Sequence, residues 1–225
     1  MSGAPAPVVI LISGRGSNLL AILDETRAGR LPIEIRAVIS NNPGAEGLQR
    51  ARAAGVPTET INHRDYTDRA QFDAALKQAI DRHAPRLVIL AGFMRILGED
   101  FIRHYTGRLL NIHPSLLPAF KGLNTHARAL AAGAKRHGAS VHFVTEDLDG
   151  GPVIIQAAVP VRADDTADTL GARVLQEEHR ILPLAIRWCA EGRISIRNGQ
   201  ALLDGAIRPE QGLAAASATQ TGANP

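Results

Sequence analysis

Short apolar runs recur along the first half of this chain, each followed by a stretch with helical spacing. "PVVILIS" (7–13), "IEIRAVIS" (33–40), "RLVILAGF" (86–93) and "RLLNIH" (108–113) are the runs, with a shorter "PTETI" at 57–61. Such runs, with little polar alternation, suit strands covered on both faces, which is the situation in a parallel sheet. Between them lie "SNLLAILDETRAG", with Leu19, Leu20, Ile22 and Leu23 available to a core, "AEGLQRARAAG", "DRAQFDAALKQAIDRHA" and "GEDFIRHY". Gly55 is placed to cap the second helix and Asp68 to start the third. Strands alternating with helices imply right-handed crossovers and an open, doubly wound α/β fold with a mostly parallel sheet.

After Pro118 the pattern changes. "ASVHFVT" (139–145) and "PVIIQAAVPV" (152–161), joined through "EDLDGG", predict an antiparallel addition at one edge. Residues 165–192 are helical and are expected to bend at Pro183. "RISIRNGQALL" holds Asn-Gly between two short runs, a hairpin signal. With no internal repeat and no clear linker, the whole chain, 1–225, is expected to form a single domain, with flexible tails at 1–6 and 213–225.

Composition narrows the function classes. The net charge of +3 is scattered, and one Trp, two Tyr and five Phe are few for a stacking platform, so nucleic acid is not an expected partner. No stretch is apolar for long enough to span a membrane, and the start lacks the features of a secretory signal, so the cytoplasm is the expected location. Cys189 is the only cysteine, which excludes an intrachain disulfide and cysteine-based zinc sites. His137 and His142 are badly spaced for one ion if they share a strand, so no metal is expected.

Ligands of such sheets bind beyond the carboxyl ends of the strands. Three of those ends carry polar residues: "SGRGSN", "AGFMR" and "NIHPS". They are expected to converge. In the first, Gly16 lets the backbone approach an anion at a helix N-terminus, while Ser17 and Asn18 add donors. A dinucleotide fingerprint fails, because Leu19 takes the third glycine's place and the second strand ends in Ser40, Asn41 and Asn42 without a carboxylate. A single phosphate monoester fits better; a plain tight turn fits as well. In the third, Asn111 and His113 are two apart in an extended segment and face one side. An amide beside an imidazole suits an oxyanion and a proton transfer. Local turn capping is the alternative. Asp149 precedes Gly150 and Gly151 and could reach His113, raising its pKa and keeping a proton ready.

These segments in this order resemble the phosphoribosylglycinamide formyltransferases, the folate-dependent family of purine biosynthesis. The resemblance runs from about Val8 to Gly212 and includes "VILISGRGSNLLAIL", "LAGFMRIL", "GRLLNIHPSLLPAF", "HGASVHFVTEDLDGGPVIIQ" and "QEEH". It implies that 10-formyltetrahydrofolate donates a formyl group to the amine of glycinamide ribonucleotide, with no metal. Asn111 would bond the formyl oxygen, protonated His113 would stabilise it and move a proton, and Asp149 would support His113. Gly16, Ser17 and Asn18 match the family's phosphate loop and Glu178 its ribose contact. Arg69, Met94, Arg95, Ile96, Leu97, Asn111 and Thr145 match the folate site, with the Thr145–Asp149 loop closing over the pterin. A homodimer is compatible with the resemblance. Lys121 and Asn124 depart from the family, which often has proline and histidine there. Formyltetrahydrofolate deformylase is the nearest rival; that family usually has an extra amino-terminal domain, whereas this chain starts at its first strand.

Overall fold

The computed structural model describes residues 4–212 of the chain. Its central sheet holds β1 (Ala6–Ile12), β2 (Ile33–Ser40), β3 (Thr58–Thr60), β4 (Leu87–Leu90), β5 (Leu109–His113), β6 (Arg136–Phe143) and β7 (Val153–Pro160). Their order is β3-β2-β1-β4-β5-β6-β7. The first five pair in parallel, while β6 runs antiparallel to β5 and β7 antiparallel to β6. The helices are α1 (Ser17–Arg27), α2 (Glu46–Ala53), α3 (Arg69–Asp81), α4 (Glu99–His104), α5 (Thr125–Ala131) and α6 (Ala167–Ala190). The fold class read from the sequence is the one observed.

Period-two alternation sorts the strand residues into two cores. Val8, Ile10 and Ile12 of β1 face one cluster with α1, α2 and α6, whereas Val9 and Leu11 face another with α3 and α4. Asp68 caps α3, its Oδ1 accepting from Gln71 N at 2.9 Å, and Gly55 takes a left-handed φ of 75° just past α2. Leu20 differs from expectation: it is exposed, because the buried stripe of α1 is Leu19, Ile22 and Leu23. The helix at 167–190 runs on through Pro183 as one element, started by Thr166 in a reciprocal cap with Thr169. The Asn-Gly signal is a hairpin of β8 (Ile194–Arg197) and β9 (Gln200–Leu203), with Asn198 and Gly199 both at positive φ. Ala6, expected in a tail, is a buried residue of β1, while residues 1–3 and the tail at 213–225 lie outside the described residues.

Candidate active site

The strand order reverses direction between β1 and β4, and that is where open sheets of this kind place a ligand crevice. The segments following β1, β4 and β5 therefore lie side by side. Those are the three polar strand ends expected to converge.

Asn111 and His113 close β5 on one face. Antiparallel pairing sets His142 of β6 directly opposite Asn111. Asn111 Nδ2 lies 3.1 Å from His142 Nε2, and His142 Nδ1 lies 2.9 Å from the Phe143 carbonyl. A carbonyl only accepts, so His142 Nδ1 carries a proton. In the neutral ring Nε2 then accepts from Asn111, which fixes the amide's orientation and leaves its second N–H for another acceptor. His113 follows the same logic. Its Nε2 donates to the Phe120 carbonyl at 3.0 Å, and its Nδ1 faces Asp149 Oδ2 at 3.4 Å. Asp149 Oδ1 is also 3.6 Å from His142 Nε2. One carboxylate thus stands between two imidazoles, and all three side chains are buried.

The electrostatic balance corrects one expectation. Burial pushes the His113 imidazole below its ordinary value, and the Phe120 carbonyl and the Asp149 charge only partly offset that. Nδ1, facing Asp149, is the nitrogen at which His113 gains or loses its proton. Burial alone would raise Asp149, but the neighbouring His142, the Gly122 N–H and His113 hold its carboxyl below the usual range. It stays ionised.

The loop after β5 holds both the end of β5 and the loop after β6. The Phe120 carbonyl holds His113, Lys121 Nζ pairs with Asp147 Oδ2 at 2.8 Å, and Gly122 N donates to Asp149 Oδ2 at 2.8 Å. Phe120, Asn124 and Asp149 all have φ near +50°, a strained region for residues other than glycine. Gly150 leaves room for Asp147, whose Oδ2 occupies the space a Cβ would take. Ser115 is no nucleophile, since its hydroxyl donates to the Ala119 carbonyl at 2.7 Å.

Gly16 starts α1 with φ 73°, and no side chain caps that helix. Its first N–H groups remain available to an anion. A Cβ on Gly16 would sit 2.7 Å from Gly47 Cα, so the glycine also permits a close backbone crossing. Ser17 is the first residue of the helix. Asn18 departs from the expected free donor: it turns inward, its Nδ2 donating to Glu178 Oε2 at 2.6 Å. Glu178 is only 8% exposed. Burial raises its pKa, with the Asn18 bond acting the other way.

Along the segment after β4, Met94, Arg95 and Ile96 are exposed, and Leu97 is buried among Phe93, Phe101 and Ile102 as an anchor. Arg69 lines a cleft of about 590 Å³ between α3 and α4, together with Asp73, Lys77 and Gly98. Thr145 Oγ1 bonds the Asp147 carbonyl at 3.3 Å, bracing the loop that carries Asp149. His126 and His137 pair at 3.1 Å through Nδ1 and Nε2; burial pushes His137 down to about 4. Cys189 is pushed up to about 12 by burial, an unreactive thiol. Sequence reasoning missed His142, considering it only as a metal ligand.

A family model described as formyl transferase matches residues 6–186. Phosphoribosylglycinamide formyltransferase of Escherichia coli (strain K12) is 53% identical over 208 residues, 92% of this chain and 98% of that one. The trifunctional purine biosynthetic protein adenosine-3 of Homo sapiens is 47% identical over 87% of this chain but only 19% of its own length. Among solved structures, phosphoribosylglycinamide formyltransferase from Coxiella burnetii superposes with a TM-score of 0.86 at 52% identity, covering 90% of this chain and 95% of that one. A formyltetrahydrofolate deformylase from Pseudomonas putida reaches 0.80 at 30% identity, covering 88% of this chain and 70% of that one.

Proposed function

The chain belongs to the formyl transferase family, and on that premise we propose how its residues divide the work of formyl transfer. The activity is that of a phosphoribosylglycinamide formyltransferase of purine biosynthesis, using a folate-derived formyl donor. The donor in this reading is 10-formyltetrahydrofolate, and the acceptor is the amine of glycinamide ribonucleotide.

The acceptor's phosphate sits against the N-terminus of α1 at Gly16 and Ser17. Asn18 and Glu178 lie beneath, with Glu178 turned toward the ribose hydroxyls. The donor lies along Met94, Arg95 and Ile96, with Arg69 meeting its carboxylate end and Leu97 anchoring the segment. The amine adds to the formyl carbon and the C=O bond becomes a C–O single bond. Asn111, its amide held by His142, gives its second N–H to that oxygen as charge builds. The adduct's ammonium proton passes to His113 Nδ1. The imidazolium then stabilises the oxyanion, and Asp149 balances the imidazolium. The same proton moves on to the folate nitrogen as its bond to carbon breaks, and the C=O re-forms on the acceptor.

The observation that carries this reading is the joining of Asn111, His142, Asp149 and His113 at the same end of the sheet as the uncapped start of α1. A depressed His113 suits a group that must accept a proton before it donates one. The test follows folate product by absorbance, with and without glycinamide ribonucleotide. Product only when the acceptor is present supports transfer. Formate release at an equal rate without it would make the chain a hydrolase.

A further inference from the structure

One hydrogen-bond chain crosses the carboxyl ends of four neighbouring strands. It starts at Met94, in the segment after β4, whose N–H donates to Ser13 Oγ at 2.7 Å. Ser13, the residue after β1, donates its hydroxyl proton to Asn41 Oδ1 at 2.5 Å. Asn41, the residue after β2, accepts at its backbone carbonyl from His63 Nδ1, in the segment after β3, at 2.8 Å. The His63 backbone N–H reaches the same carbonyl at 3.3 Å. The sequence of links follows the order of the strands in the sheet, β4-β1-β2-β3.

Backbone bonds reinforce the joint at Ser13. Its N–H donates to the Gly92 carbonyl at 3.1 Å, and its own carbonyl accepts from Asn42 Nδ2 at 3.3 Å. Gly92, at φ 77°, turns the chain so that Met94 N comes back to the hydroxyl. Asn41 is 4% exposed, so its amide is committed inside this network. Ser13 Oγ is a single atom doing two things. It accepts from the segment assigned above to the donor and opens the loop assigned to the acceptor's phosphate.

We propose that Ser13 is a positioning residue that ties the donor segment at Met94 to the acceptor's phosphate loop, with Asn41 holding its hydroxyl in the orientation that leaves a lone pair for Met94. The proposal rests on the reading of residues 94–97 as the donor segment. Met94 and Ile96 project into solvent with few contacts of their own, so the segment's backbone needs an external hold. The Ser13 hydroxyl and Leu97 provide one at each end. Fixing the phosphate loop by binding the acceptor would then also steady the donor segment, and linkage makes that coupling reciprocal.

The experiment is calorimetric titration of the full chain with a folate analogue lacking a transferable formyl group, with and without glycinamide ribonucleotide. In Ser13→Ala the analogue is expected to bind roughly fivefold to tenfold more weakly. Acceptor binding should change by less than about twofold, since the N-terminus of α1 is untouched. Any tightening of the analogue by the acceptor in the native chain should shrink in the variant. Asn41→Asp keeps an acceptor for the hydroxyl and should bind as the native chain does; Asn41→Ala should match Ser13→Ala, and the double variant should be no worse than either single. Native-like circular dichroism separates these effects from misfolding. Equal analogue affinity in Ser13→Ala and the native chain overturns the proposal. Failure of the native chain itself to bind the analogue would instead overturn the donor reading beneath it.

Discussion

The loop that opens α1 and the pair of loops that frame His113 lie at one end of one sheet, yet they are held differently. The first is a backbone device: a left-handed glycine, a close crossing at Gly47 and an uncapped helix start. The second is a side-chain device. The Phe120 carbonyl, Lys121 and Gly122 each engage a different partner, and three residues other than glycine sit at positive φ to allow it. An anion needs N–H groups at a fixed place, which backbone alone supplies. Proton transfer needs groups whose charge can change, and those must be held by neighbours that tolerate both states.

If that contrast is right, the largest effects come from the polar side chains of the second region. Asn111→Ala and His113→Ala should each lower kcat by about 10²–10³ or more, the scale of removing an oxyanion donor. Acceptor KM should stay close to native, because the phosphate contacts proposed above lie at α1. Steady-state kinetics on folded variants checks this, and near-native turnover by either one rejects its role.

Asp149→Asn should also lose most activity, and its pH profile carries the sharper information. Relay through His113 requires neutral Nδ1 before addition, so kcat/KM should fall as pH drops through the depressed His113 value, below the ordinary 6.5. Asp149 favours the imidazolium. Its neutralisation lowers that value further and should move the acid limb to lower pH. A limb that stays in place would separate Asp149 from His113 in function despite their contact.

Gly16→Ala probes the backbone region. The added Cβ meets Gly47 backbone at 2.7 Å, and φ 73° disfavours alanine. A loss of about 1–3 kcal/mol in stability is expected by urea unfolding, with acceptor KM rising and kcat less affected. A kcat collapse equal to that of Asn111→Ala would show that the two regions are not separable.

How much of each region could be read from the chain follows the same division. Strand and helix periods are local, so the doubly wound sheet and the converging loops were legible. Gly16 and the two-residue spacing of Asn111 and His113 are local as well. His142 was not legible, because its placement depends on the β5–β6 register across the intervening α5. A register shift in the β6–β7 pairing falls between Val141 and His142, where a bulge can re-aim a side chain. The burial of Glu178 against Asn18 depends on the packing of α6 on α1, which no local feature of the sequence shows. The direction of the His113 shift was misjudged because a nearby carboxylate can be guessed from sequence, whereas depth of burial cannot.

The smallest effect tests whether the side-chain region is a set of independent contacts or one clamp. Lys121 and Asp147 are both substantially exposed, at 36% and 70% of their side chains, so the pair contributes at most about 1 kcal/mol to folding. Lys121→Met should leave stability unchanged within error and lower kcat by no more than about fivefold, by loosening the loop that carries Asp149. Asp147→Asn should give the same loss, and the double variant no additional one. Because the link is ionic and exposed, native and variant rates should converge as salt approaches about 1 M, where screening extends to roughly 3 Å. A loss that persists unchanged at high salt would mean that Lys121 acts by its shape within the loop, and Gly122 and Phe120 alone would then hold Asp149 and His113 in register.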